Sequence, residues 1–363
     1  TIEFQYKSVN IDENLCEFLQ DGYTICIILG GHIDMGLLVL LISLSFMVFC
    51  FSLYCYRICF YAPNRQQSNN DLESWFPKGE QYSAIRDKML AGAHCMEDSP
   101  YEWASILSDD KTKRYTRSYD LNPGAPVMIV FHGYRGYASR DCAGGFVIAA
   151  KLGFNILAVD QRSHGKSSGH TITFGIRERQ DCLHWIEYAQ QRFGPDTPII
   201  LYGVSMGAAT VLMASELDLP ENVVSIIADC PYSSPSAIIQ KVSDEMGYPS
   251  NLAFPVIQLG ARLYGGFSLT ECSASDAVKR ACIPILLIHG ADDTFVPCSM
   301  SREIYENCKD IAQLNIIPDA AHGLSYPVAS REYEKICVDF LWKISAMHPH
   351  LDHSEFASQM HSA

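Results

Sequence analysis

The chain has 363 residues, 48% hydrophobic and 19% charged, which supplies enough apolar material for a large core and excludes a disordered chain. A formal net charge of −14 leaves no room for the basic stripe that a phosphate backbone requires, so no nucleic-acid partner is expected. The fourteen cysteines form neither a C-x-x-C pair nor a Cys/His set at zinc spacing. Cys182, Cys230, Cys282 and Cys337 fall in or beside apolar segments and read as buried small side chains in a reducing compartment, not as a disulfide framework.

Residues 1–34 show no periodicity and are left unassigned. Met35 offers an alternative start, with Gly30-Gly31 compatible with a purine-rich ribosome-binding sequence just upstream; on that reading residues 1–34 are not native and carry no function. From Met35 to Tyr56 the chain runs without a charge, the length needed to cross a bilayer, so residues 35–60 are expected to be a single-pass transmembrane anchor with Tyr54, Tyr56 and Arg57 at its rim. No basic leader or small-residue cleavage site marks it as a signal peptide. Arg57, Arg65 and Lys78 on the C-terminal side, against Lys7 on the other, place the globular part in the cytoplasm. Residues 61–100 read as a polar linker (Asn64–Asp71) followed by a helix (Glu80–Cys95).

From Tyr101 a hairpin is expected over Trp103–Leu107 and Tyr115–Tyr119. Short apolar strands follow at Val127–Phe131, Asn155–Val159, Pro198–Tyr202, Val223–Ala228, Pro284–Ile288 and Gln313–Ile317. Helical stretches separate them, at Asp141–Leu152, Arg177–Phe193, Ser205–Glu216, Ser299–Asn307 and Arg331–Ser345. This alternation implies an α/β fold, a mostly parallel sheet covered by helices on both faces. Residues 231–270 form an apolar insertion suited to a small helical cap. Residues 348–363 read as a flexible tail whose His348, His350 and His353 are a polar end, not a metal site.

Gly203-Val204-Ser205-Met206-Gly207 lies between an apolar strand and an apolar helix, the setting a nucleophile elbow requires. A serine hydroxyl is a poor nucleophile at neutral pH and needs a histidine to take its proton and a carboxylate to hold that histidine. Both stand downstream, in loops past the ends of strands: Asp292 and Asp293 in His289–Pro297, and His322 before Gly323. The residue after the nucleophile, Met206, supplies a backbone N–H at a helix start for an oxyanion. The loop Asp160–Gly169 carries charges and glycines without Walker spacing and reads as structural.

Together, His132-Gly133, the Asp160–Ser167 loop, Gly203–Gly207, His289–Pro297 and His322-Gly323 resemble the α/β-hydrolase superfamily over Tyr101 to about Met347. The nearest likeness is to bacterial membrane-anchored serine hydrolases of the Bem-type, monoglyceride-lipase-like and serine-aminopeptidase-like branch. The resemblance implies an α/β-hydrolase fold and places the acid at Asp293, giving a catalytic triad of Ser205, Asp293 and His322. It also implies Tyr134 as the second oxyanion N–H beside Met206. No cofactor and no metal are implied. The expected reaction is cleavage of a carboxylic ester, esterase- or lipase-like, on a small acyl ester or lipid-like substrate; peptidase or thioesterase action on the same triad is the alternative, and a non-catalytic binding module the reading from another class. Phe254, Leu259 and Tyr264 of the cap are the expected acyl-pocket residues. The family's usual glycine is missing from the hairpin turn at Ser108–Lys111, and the oligomeric state is left open.

Overall fold

A computed structural model describes residues 35–62 and 80–347. Residues 1–34, the polar linker and the tail with its histidines lie outside the described residues. Helix α1 spans Met35–Cys59, and by length and composition it is long and apolar enough to cross a membrane. Two compact units divide the chain after Ser52, so the second unit takes in the last residues of α1 as well as the region beginning at Tyr101. Phe60, just past that helix, is fully buried and packs edge-on against Phe174 and Phe267.

The expected helix around Glu80–Cys95 is two pieces, α2 (Glu80–Ser83) and α3 (Arg86–Asp98). Eight strands follow: β1 (Glu102–Leu107), β2 (Lys113–Tyr119), β3 (Val127–Phe131), β4 (Asn155–Asp160), β5 (Ile199–Val204), β6 (Val223–Asp229), β7 (Ile285–Gly290) and β8 (Ala312–Ile317), in the sheet order β1-β2-β4-β3-β5-β6-β7-β8. The β1–β2 and β2–β4 pairs are antiparallel, and every later pair is parallel. Strands β3 to β7 are buried along their whole length. That is why they read as unbroken apolar runs: helices cover both faces of a parallel sheet.

One face packs under helices that include Glu178–Phe193, where Trp185 is fully buried, and Met206–Ala214. The other packs under Ala143–Lys151 and Ser330–Met347, through Phe146, Tyr333 and Phe340. Cys182, Cys230 and Cys337 are buried in this core, whereas Cys282 is exposed and differs from its expected place; no cysteine of the described residues is in a disulfide.

The β1–β2 turn closes without glycine. Lys111 takes the left-handed conformation at φ 58°, and the Asp110 carboxylate accepts from the Thr112 backbone N–H (3.0 Å) and hydroxyl (2.6 Å). A side chain thus supplies the local bonding that offsets an unfavourable backbone. Between β6 and β7 the insertion folds into helices Pro235–Glu245 and Ser250–Gly260. The first starts at Ser234, whose hydroxyl accepts from the Ala237 N–H at 3.0 Å, with Pro235 in the first turn. These are ordinary helix-start devices.

Candidate active site

The loops that follow β3, β5, β7 and β8 gather at the carboxyl ends of the parallel strands, where open sheets of this type place ligands. At the end of β5 the chain turns so sharply that Ser205 sits at φ 56°, ψ −115°, a region costing a non-glycine residue about 1–3 kcal/mol. The flanking glycines make the turn possible. A Cβ on Gly203 would collide with the Gly207 carbonyl, and one on Gly207 would collide with the Phe131 carbonyl.

Ser205 Oγ lies 2.9 Å from His322 Nε2, and His322 Nδ1 lies 2.7 Å from Asp293 Oδ2. The arrangement defines the tautomer: Nδ1–H donates to the carboxylate, leaving Nε2 to accept from the serine hydroxyl. Asp293 is 5% exposed. Burial raises its pKa, but hydrogen bonds from His289 and His322 and from the Val296 N–H outweigh that and hold the carboxyl down at about 2. Its other oxygen accepts from the N–H groups of Phe295 (3.0 Å) and Val296 (2.8 Å). Asp292, the neighbouring carboxylate, is exposed and makes no hydrogen bond to His322. The structure therefore brings Ser205, His322 and Asp293 together and leaves Asp292 outside.

The loop after β3 is bound on all sides but one. The Gly133 N–H donates to Asp141 Oδ2 (2.8 Å), the Arg135 N–H to His164 Nε2 (3.0 Å) and the Gly136 N–H to the Gly133 carbonyl (3.1 Å). The Tyr134 N–H has no such acceptor among the described residues. The Met206 N–H opens the helix after the elbow, where the first N–H groups have no partner within the helix. Tyr134 lines the same cleft as Ser205, and Met206 follows the serine directly at the helix start.

His132 and His164 explain the motifs around them. His132 accepts the Gln161 N–H at Nε2 (3.2 Å) and donates from Nδ1 to the Gly133 carbonyl (2.8 Å). His164 donates from Nδ1 to the Arg162 carbonyl (2.8 Å). Burial pushes His132 down to about 4 and His164 down to about 3, so both are neutral scaffolds for the loop.

A cleft of about 230 Å³ opens on the serine, lined by Tyr82, Met89, Tyr134, Arg140, Phe295 and Leu324 among others. Phe254, Leu259 and Tyr264 do not line it, which corrects the expected pocket. Phe254 and Tyr264 are instead packed against the core, and Tyr264 lies 5.7 Å from the Tyr56 ring. Tyr82 and Met89 come from helices that precede the sheet, and no local pattern in the chain announces their distant partner. Phe295 sits inside the motif that carries Asp293 and was there to be noticed.

Beneath the site, Asp229 is almost fully buried and accepts from the Ser325 hydroxyl at 3.1 Å. Burial pushes its carboxyl up to about 6. Cys230 brings its sulfur within 4.8 Å of ligand-type atoms of Asp293 and His322. Those two already bond one another, and burial raises the Cys230 thiol, so the trio is not a set of free ligands.

Known proteins agree with this architecture. A family model for the alpha/beta hydrolase fold matches residues 126–249, and one for serine hydrolase (FSH1) matches residues 256–323. The protein YqkD of Bacillus subtilis is 29% identical over 191 residues, covering 52% of this chain and 63% of its own. The lysophosphatidylserine lipase ABHD12 of Danio rerio is 25% identical over 269 residues, covering 68% of this chain and 65% of its own. The match therefore spans less than two thirds of either relative's length. Among solved structures, the Pyrococcus furiosus esterase Pf2001 superposes with a TM-score of 0.57 at 21% identity, over 78% of this chain and 98% of the esterase. Together with the sheet order, these matches show the α/β-hydrolase fold and a likeness to serine hydrolases.

Proposed function

We propose that this chain hydrolyses a carboxylic ester of a lipid-like substrate through an acyl-enzyme on Ser205, while α1 anchors it to a membrane. The observation that carries the reading is the continuous hydrogen-bonded line from Ser205 Oγ through His322 to Asp293, at 2.9 and 2.7 Å. His322 Nε2 takes the hydroxyl proton as Oγ bonds to the ester carbon. The oxyanion is held by the Met206 and Tyr134 N–H groups; His322 then gives the proton to the leaving alkoxide, and water repeats the sequence to release the acid. Asp293 keeps the imidazole in the tautomer this needs.

The mixed lining of the cleft, with Met89, Phe295 and Leu324 beside Tyr82 and Arg140, suits an apolar acyl chain joined to a polar group. The relative named as a lysophosphatidylserine lipase supports a single-acyl lipid as the substrate class. The basic residues after α1 support a cytoplasmic position for the hydrolase domain.

A fluorophosphonate probe and a panel of acyl esters of increasing length, run beside a thioester and an aminoacyl amide, test the reading. Labelling and ester turnover that both vanish in Ser205→Ala are the expected result. Ester turnover that survives that change, or faster turnover of the thioester or amide, would overturn ester hydrolysis on Ser205. Protease protection of the domain in sealed inside-out membrane vesicles would overturn the cytoplasmic side.

A further inference from the structure

The end of α1 is bonded to the loop that carries the Tyr134 N–H. The last four carbonyls of a helix have no partner within it and are usually satisfied by a glycine turn, water or a nearby donor. Here two consecutive side chains of the loop after β3 supply donors. The Tyr134 hydroxyl donates to the Cys59 carbonyl at 2.7 Å. The Arg135 guanidinium donates to the Ile58 carbonyl at 2.7 Å and to the Tyr61 carbonyl at 3.2 Å.

The helix end is itself held firmly. The Phe60 carbonyl accepts from the Ile172 N–H (2.8 Å), and the Ala62 N–H donates to the His170 carbonyl (2.9 Å). The Tyr56 hydroxyl meets Thr171 Oγ1 at 2.7 Å. The Tyr134 ring also rests 5.0 Å from Phe174, which in turn packs on Phe60. Arg135 sits at φ 50°, a backbone conformation that persists only where surrounding contacts hold it.

We infer that the C-terminal end of the apolar helix is a working part of the oxyanion site, and that Tyr134 and Arg135 are positioning residues whose side chains fix the Tyr134 N–H by gripping the Ile58, Cys59 and Tyr61 carbonyls. The inference rests on the proposed acyl-transfer role of Ser205. An oxyanion donor acts only where it is aimed at the developing charge, and full loss of one costs about 10²–10³-fold in kcat. A donor that stays in the chain but loses its brace costs less.

The test uses the full chain in lipid nanodiscs. Tyr134→Phe keeps the ring against Phe174 and the backbone N–H but removes the phenolic donor. The expected result is a fall of about tenfold in kcat with KM within about twofold, an equal slowing of fluorophosphonate labelling, and an equal loss of affinity for a trifluoromethyl ketone carrying the same acyl chain, which mimics the tetrahedral species. Arg135→Ala is expected to do the same, with Arg135→Lys recovering most of the rate; this pair decides the matter if Tyr134→Phe does not fold. Lys335→Ala, an exposed change on the helix Ser330–Met347, should match the parent. Unchanged kcat and ketone affinity in Tyr134→Phe and Arg135→Ala, while Ser205→Ala is inactive, would overturn the brace and leave the proposed function standing. A rise in KM alone would also overturn it, since Tyr134 would then be only a wall of the cleft. Turnover retained in Ser205→Ala would overturn the underlying acyl-transfer role as well.

Discussion

Two pairs of histidines flank Ser205 in contrasting surroundings. His289 and His322 converge on one carboxylate, with His289 Nε2 3.3 Å and His322 Nδ1 2.7 Å from Asp293 Oδ2. His132 and His164 meet edge to face with ring centres 4.7 Å apart, and they hydrogen-bond only to peptide groups. Only His322 is partly open, at 22% side-chain exposure, and only it reaches Ser205. An imidazole that faces a carboxylate on one side and a hydroxyl on the other can gain a proton during a reaction. One clamped between a carbonyl and an N–H cannot, because protonation would discard an accepted hydrogen bond in a buried site. One residue type thus builds the proposed base on one side of the serine and the scaffold for the proposed oxyanion loop on the other.

Removing the proposed base should have the largest effect. His322→Ala, like Ser205→Ala, is expected to lower kcat/KM by about 10³-fold or more in an ester assay, since triad members act as a unit. Asp293→Asn should follow at about 10²–10⁴-fold, because an amide can hold the ring in the wrong tautomer. Asp292→Asn should stay within about twofold. A reversal of those two results would break the assignment of the acid and with it the distinction between the histidine pairs.

On the scaffold side the loss should appear first in stability. His164→Leu leaves the Arg135 N–H without its acceptor, an expected cost of about 1–3 kcal/mol in unfolding free energy, measured by thermal or denaturant unfolding in detergent. The pH dependence has a definite sign. An unfolded chain protonates histidine near 6.5, whereas His132 is held at about 4 and His164 at about 3. Their contribution is complete above about 6.5 and is lost as the pH falls through that value toward 4 and 3. Asp229 and Asp160, both raised by burial to about 6, oppose it over part of that range. Nitrogen NMR of labelled histidine separates the two: at pH 5 the His132 and His164 rings should still be neutral and protonated at Nδ1. Protonated rings at that pH would remove the contrast.

Phe295, with its ring 5.0 Å from that of His322, offers the smallest expected effect. Phe295→Ala should raise KM for long acyl esters by about tenfold through lost apolar burial, whereas Leu259→Ala, outside the cleft, should leave KM within about twofold.

Much of this site was legible because its chemistry is local. Gly203 and Gly207 are dictated by the turn itself, and the strands on either side of Ser205, Asp293 and His322 are apolar because both faces of the sheet are covered. Strand ends therefore marked where the loops carrying the chemistry begin. The cap was read less well. Phe254 and Tyr264 are apolar whether they face a substrate or the core, and hydrophobicity alone does not say which face a neighbour will cover.

The sequence by itself determined the α/β alternation, the elbow and the order in which serine, acid and histidine arrive, since each depends on periodicity or on a backbone conformation that few residues tolerate. Residues distant in the chain were decided only by tertiary packing. It buried Asp293, already favoured by the family resemblance, and exposed Asp292, used Tyr82 and Met89 to wall the cleft, and bonded the end of the apolar helix to the loop at Tyr134. Those outcomes depend on how separate elements meet in space, and no spacing along the chain encodes a hydrogen bond between residues 59 and 134.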